Sequence, residues 1–117
     1  MTQDYHHNND NLDNLTSLAE AISKLQNSIE VEKFLIDLCT PTEIRSFEER
    51  WRVCQLLNMN KYSYRQIKEL TGASTTTIGR VARFLNDEIY QGYKTLLKKL
   101  EREKNVEKIN NHGGNAM

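Results

Sequence analysis

Residues 64–83 read YRQIKELTGASTTTIGRVAR. The spacing predicts a helix of about two turns, a tight turn at Gly72-Ala73-Ser74, and a longer second helix, which is the layout of a helix-turn-helix. With Tyr64 as the first of twenty positions, the motif needs apolar side chains at the fourth, fifteenth and eighteenth, and Ile67, Ile78 and Val81 supply them. Its ninth position calls for a positive φ, and Gly72 stands there. Thr71 and Ala73 on either side are small enough for close packing, whereas Lys68 occupies a position where a small residue is usual. Ser63 and Gln66 have the spacing of a capping box, with Ile67 and Leu70 then facing inward. Ser74 is placed to cap the second helix, whose inward residues are Ile78, Val81, Ala82 and Leu85.

The first turn of that second helix, Ser74-Thr75-Thr76-Thr77, is short and hydroxylic. Such a surface enters a major groove without steric conflict: hydroxyls hydrogen-bond base edges and threonine methyls pack on thymine methyls. Helix N-termini also favour phosphate. Arg65 and Lys68 on the first helix, with Arg80 and Arg83 on the second, are candidates for guanine or phosphate contacts.

Outward from the motif the pattern stays helical. The chain has a single proline, Pro41, and no glycine before Gly72. No alternating strand pattern interrupts it, so the fold class is all-α. Leu12, Leu15, Leu18, Ala19, Ile22 and Leu25 mark a first helix, and Ile29, Val31, Phe34, Leu35 and Leu38 a second. Thr40-Pro41-Thr42-Glu43 starts a third with a capping box and proline at the first helical position. That helix carries Ile44, Phe47, Trp51, Cys54 and Leu57, and Asn58-Met59-Asn60 ends it. A last helix, capped by Asn86, carries Ile89, Tyr90, Tyr93, Leu96, Leu97 and Leu100. The count is six helices. The expected division is a disordered tail over residues 1–11, one domain over 12–104 with the helix-turn-helix at about 63–85, and a second disordered tail over 105–117, where Gly113-Gly114 argues against order.

Composition narrows the partners. The 117 residues carry 16 Lys+Arg against 16 Asp+Glu, yet residues 1–60 hold 10 acidic and 5 basic side chains while residues 61–117 hold 6 and 11. The halves are therefore −5 and +5, and the basic half suits an anionic partner. With 38% hydrophobic residues and a mean hydropathy of −0.71, the chain is polar for a self-sufficient globule, which invites oligomerisation. No apolar run approaches a membrane span, and MTQDYHHNND lacks the order of a secretory signal, so the expected location is the cytoplasm. Cys39 and Cys54 read as reduced core residues.

No catalytic or metal-binding constellation emerges. Carboxylates Glu48-Glu49 and Asp87-Glu88 are adjacent pairs that do not converge. His6, His7 and His112 have no ligand partners at metal spacing, and Ser74–Thr77 have no histidine base nearby. The reading is a protein that is not an enzyme and has no metal.

From about Leu35 to Leu100, the stretches LCTPTEIRSFEERWRV and SYRQIKELTGASTTTIGR resemble the Trp repressor superfamily, especially its small Trp-repressor-like members from Gram-positive bacteria. The resemblance implies a six-helix subunit in an intertwined homodimer, with two reading heads one DNA turn apart. It implies a sequence-specific transcription regulator, a repressor, that binds double-stranded DNA. By the same alignment the residues touching DNA are Arg65, Lys68, Thr75, Thr76 and Gly79. The family's tryptophan pocket falls on Thr40, Arg50, Thr77 and Arg80, which match, and on Val81 and Phe84, which put bulk where the family has Gly and Ser. Tryptophan is therefore not expected as corepressor, and no cofactor is assigned; an effector of another kind is left open. The other function class is a helical interaction protein that kept this fold and acts through a protein partner.

Overall fold

Whether each apolar stripe becomes a helix depends on what starts and stops it, and here the starts are hydroxyl and amide caps. The computed structural model describes residues 10–115. Among them it forms a short 3-10 turn at Asp10–Asn14 and six α-helices: α1 Leu18–Ser23, α2 Ser28–Leu38, α3 Pro41–Asn58, α4 Tyr64–Thr71, α5 Thr75–Asn86 and α6 Gly92–Asn115. The first expected helix is broken. Ser17 stands in extended backbone and its side chain accepts from the Glu20 N–H, so α1 starts there instead of continuing from Leu12. Asn27 caps α2 in the same way through the Glu30 N–H. At α3 the capping box forms: the Thr40 N–H donates to Glu43 Oε1 at 2.8 Å and the Glu43 N–H to Thr40 Oγ1 at 3.1 Å. Hydrogen bonding to the Thr40 amide first, and to the Thr40 hydroxyl second, holds the Glu43 carboxyl below its ordinary range.

The chain divides into two compact units, Met1–Ile44 and Arg45–Met117, with the boundary inside α3. In the first unit α1 and α2 bury no residue. Leu15, Leu18, Ile29, Ile36 and Leu38 are each more than half exposed.

The second unit holds the core. Val53 and Cys54 of α3, Ile67 of α4, Ala73 of the turn, and Ile78, Val81 and Leu85 of α5 are buried together. Trp51, Leu56, Leu57, Tyr62, Tyr93 and Leu97 pack around them, and Trp51 and Tyr93 stack with ring centroids 6.4 Å apart. Burial pushes the Cys54 thiol up to about 11, so it behaves as a neutral core side chain.

Several expectations are corrected here. Leu70 is 62% exposed; from Ile67 the inward direction of α4 continues four residues on, at half-buried Thr71, and not three. Phe47 likewise faces out, beneath the Arg50 guanidinium at 5.2 Å. Asn86 ends α5 and caps nothing; α6 begins at Gly92 after Gln91 adopts a φ of 57°, which leaves Ile89 and Tyr90 exposed in the connection. Residues 105–115 are helical, because strong helix formers from Glu101 to Lys108 carry α6 past the family-like region with no breaker before Gly113. Of the predicted N-terminal tail, residues 1–9 lie outside the described residues, as do the last two of the C-terminal one, and Asp10 and Asn11 already belong to the 3-10 turn.

Candidate nucleic-acid interface

The helix-turn-helix is fixed by local bonds. Ser63 and Gln66 form the capping box of α4, with Ser63 Oγ accepting from the Gln66 N–H at 3.1 Å and the Ser63 N–H donating to Gln66 Oε1 at 2.8 Å. Gly72 ends α4 at φ 77°, in the left-handed region where a β-carbon would be strained, and its N–H donates to the Lys68 carbonyl. The Thr71 hydroxyl bridges the turn: it donates to the Ile67 carbonyl at 2.7 Å and accepts from the Ala73 N–H at 3.1 Å. Ser74 then caps α5, accepting from the Thr77 N–H at 3.1 Å. Between Ile67 and Thr77 the chain thus ends one helix, reverses, and starts the next, with these reversal bonds made inside the motif. Lys68, out of pattern in the sequence, is exposed and leaves the packing between the helices undisturbed.

Because Ile78, Val81 and Leu85 face the core, the opposite side of α5 faces solvent. Ser74, Thr75, Thr76, Arg80 and Arg83 are exposed there, with Gly79 half-buried between them. On α4, Arg65 is almost fully exposed; its Nε sits 3.7 Å from Glu69, a surface pair worth little in water. The structure therefore presents all eight sequence-predicted contact residues at the surface of one helix-turn-helix: three arginines and a lysine around a neutral, hydroxyl-rich first turn.

Behind that face, four of the six predicted pocket residues come together. Arg50, Arg80, Val81 and Phe84 line a concavity of about 300 Å³. Thr77 does not line it, its amide and hydroxyl being held by Ser74, and Thr40 belongs to the other unit, where it caps α3. Val81 is fully buried as part of the core. Phe84 lies under two guanidiniums, Arg80 at 4.6 Å and Arg83 at 5.0 Å from its ring centre. Arg83 Nε is also 3.7 Å from Glu88. These contacts orient both arginines without neutralising Arg80.

The rest of the lining, Glu88, Tyr90, Gln91, Gly92 and Tyr93, escaped sequence reasoning. Ile89 and Tyr90 looked like part of the α6 stripe, and the one available signal was the Gln91-Gly92 pair as a turn. Among the described residues no three His, Cys, Asp or Glu side chains are grouped to hold a metal, and no helix is long and apolar enough to cross a membrane.

Comparison with known proteins gives a consistent result. The family described as Trp repressor protein matches residues 13–101. The uncharacterized protein YerC of Bacillus subtilis (strain 168) is 42% identical over 72 residues, covering 62% of this chain and 68% of that protein. A TrpR-like protein from Eubacterium eligens has a solved structure with 39% identity and a TM-score of 0.66, covering 72% of this chain and 84% of its own. A Trp repressor candidate from Staphylococcus aureus matches with 37% identity and a TM-score of 0.66, covering 72% and 82%.

Proposed function

The chain belongs to the Trp repressor family, a family of DNA-binding regulators, and from that premise we propose that it is a sequence-specific transcription regulator, acting as a repressor and as a homodimer, that reads the major groove with α5. The observation that carries this reading is the exposed face of α5, where a hydroxylic first turn is followed by Arg80 and Arg83 and flanked by Arg65 and Lys68 of α4. Neutral hydroxyls suit base edges, and the four cations suit phosphates and guanine. A homodimer is supported by the first unit, whose leucines and isoleucines stand exposed in the single chain and gain stability only when another surface covers them.

Tryptophan has no part in this reading. Phe84 supplies an aromatic ring to Arg80 and Arg83 from within the chain, so the head is set without a ligand's indole. A calorimetric titration should give no micromolar tryptophan binding, and heat at that level would remove this part.

The functional test is an equilibrium titration against duplex DNA at several salt concentrations. We expect a two-fold symmetric site to be preferred over scrambled duplex, with affinity falling as salt rises. Binding indifferent to sequence and lost by ~150 mM salt would favour a helical protein that acts through a protein partner.

A further inference from the structure

Glycine is a poor residue for a helix interior, because its backbone loses the most freedom on ordering and it brings no side chain to pack. Gly79 nevertheless lies inside α5, which runs from Thr75 to Asn86. Two ordinary reasons for a glycine fail there. Its φ is not positive, Gly72 being the glycine with that property among the described residues. Nor is there internal crowding: a β-carbon built at Gly79 meets nothing within 4 Å. At about 100° per residue, Gly79 falls on the side of α5 away from Ile78, Val81 and Leu85, with Thr75 and Thr76 one turn before it and Arg83 one turn after. All three neighbours are exposed. What the missing side chain leaves is a notch in the middle of the solvent-facing side, walled by threonine at one end and by an arginine held over Phe84 at the other.

We propose that this notch determines specificity by receiving the C5-methyl group of a thymine, so that each half-site carries a thymine opposite Gly79. The inference rests on the reading of α5 as the helix that enters the major groove. Thymine is the one base that offers a methyl group there, and such a methyl gains by burial against threonine methyl and bare helix backbone. A β-carbon at residue 79 fills the space that the thymine methyl uses. The sequence thus gives up helix stability at one position and gains shape there for a base.

The consequence is a substitution with opposite effects on two measurements. Gly79→Ala restores a good helix former where nothing inside the protein obstructs it, so the thermal midpoint of the full-length protein rises by a few degrees. The same change weakens binding to the wild-type site by about tenfold, the scale of one mismatched base pair. Both proteins are used to select from a randomised duplex library, and each thymine of the wild-type site is then replaced singly by deoxyuridine, which removes only the methyl. One thymine per half-site loses roughly fourfold in affinity for the wild type, the worth of one buried methyl group, and nothing for Gly79→Ala. A variant that binds the wild-type site undiminished overturns the notch, as do thymine penalties equal in both proteins. A wild type that selects no duplex sequence overturns the DNA-binding reading and the notch together, whereas selection without coupling to residue 79 removes the notch alone.

Discussion

The two units of this chain use the same alphabet of leucine, isoleucine and capping hydroxyls to different ends. In Arg45–Met117, apolar residues from α3, α4, the turn and α5 meet and leave water together. In Met1–Ile44, α1 and α2 are just as well capped, yet neither buries a residue. Capping is a local matter decided within four residues; burial needs a second surface. The second unit supplies that surface from its own chain, and in the proposed homodimer the first takes it from a second copy.

The sharpest way to break this contrast is to remove one apolar side chain from each unit. Ile78→Ala opens a cavity among Val53, Ile67 and Val81 and should lower unfolding free energy by about 2–4 kcal/mol in a denaturant titration; a loss below 1 kcal/mol would mean the second unit is not held by this core. Ile36→Glu should instead leave helix content intact and weaken self-association by ~2 kcal/mol, since it puts a charge where the proposed interface is apolar. Sedimentation velocity at several concentrations reads that effect, and an unchanged profile would separate α2 from any interface. Arg65→Ala tests the helix-turn-helix without touching the core: on the proposed reading, DNA affinity should fall by about 1–3 kcal/mol and preference relax at one base position. A loss uniform over sequences would make Arg65 a phosphate contact.

Smaller effects sharpen the view that caps act locally in both units. Ser63→Ala removes one half of the α4 box and should reduce stability by ~1 kcal/mol, seen as a lower thermal midpoint. In the first unit, Glu43 offers a titration. Its folded carboxyl is held below the ordinary 4.5 by the Thr40 amide and hydroxyl, so its contribution is present above that value and is lost as pH falls through the depressed one. The pH dependence of the thermal midpoint should therefore flatten below about pH 4.5 in Glu43→Gln. If wild type and variant fall in parallel, the box contributes nothing in solution.

How much was legible in the sequence follows the same division. The boxes at Thr40 and Ser63, the cap at Ser74 and the left-handed Gly72 all formed where their spacing placed them, because each rule spans three or four residues and needs no partner. Ile67, Ile78, Val81 and Leu85 were legible as core because the turn between α4 and α5 leaves them one way to meet. Leu70, Phe47, Ile89 and Tyr90 were not. Periodicity states which residues share a face and says nothing about whether the chain returns to cover it. The break at Ser17 was hidden for a related reason: a serine inside a leucine stripe reads equally well as a solvent-facing residue or as a new start. At the candidate site, the exposed hydroxyl and cationic side chains could be read from their types, while the wall from Glu88 to Tyr93 depended on a bend at Gln91 that the apolar pattern concealed.

The bonds that shape the helix-turn-helix have one further consequence. Its two helix starts, its turn and its helix end are held by serine and threonine hydroxyls, one glutamine amide and backbone groups. The ion pair within it, Arg65 with Glu69, lies on its surface and fixes none of these. Dissolved ions compete for charges and leave neutral bonds of this kind nearly untouched. The geometry of the helix-turn-helix is thereby insulated from ionic strength, while the proposed binding of DNA is not. On the proposed DNA-binding reading, a salt titration should therefore count displaced counterions, and its slope should fall for each of Arg65, Lys68, Arg80 and Arg83 that contacts phosphate when that residue is replaced by alanine.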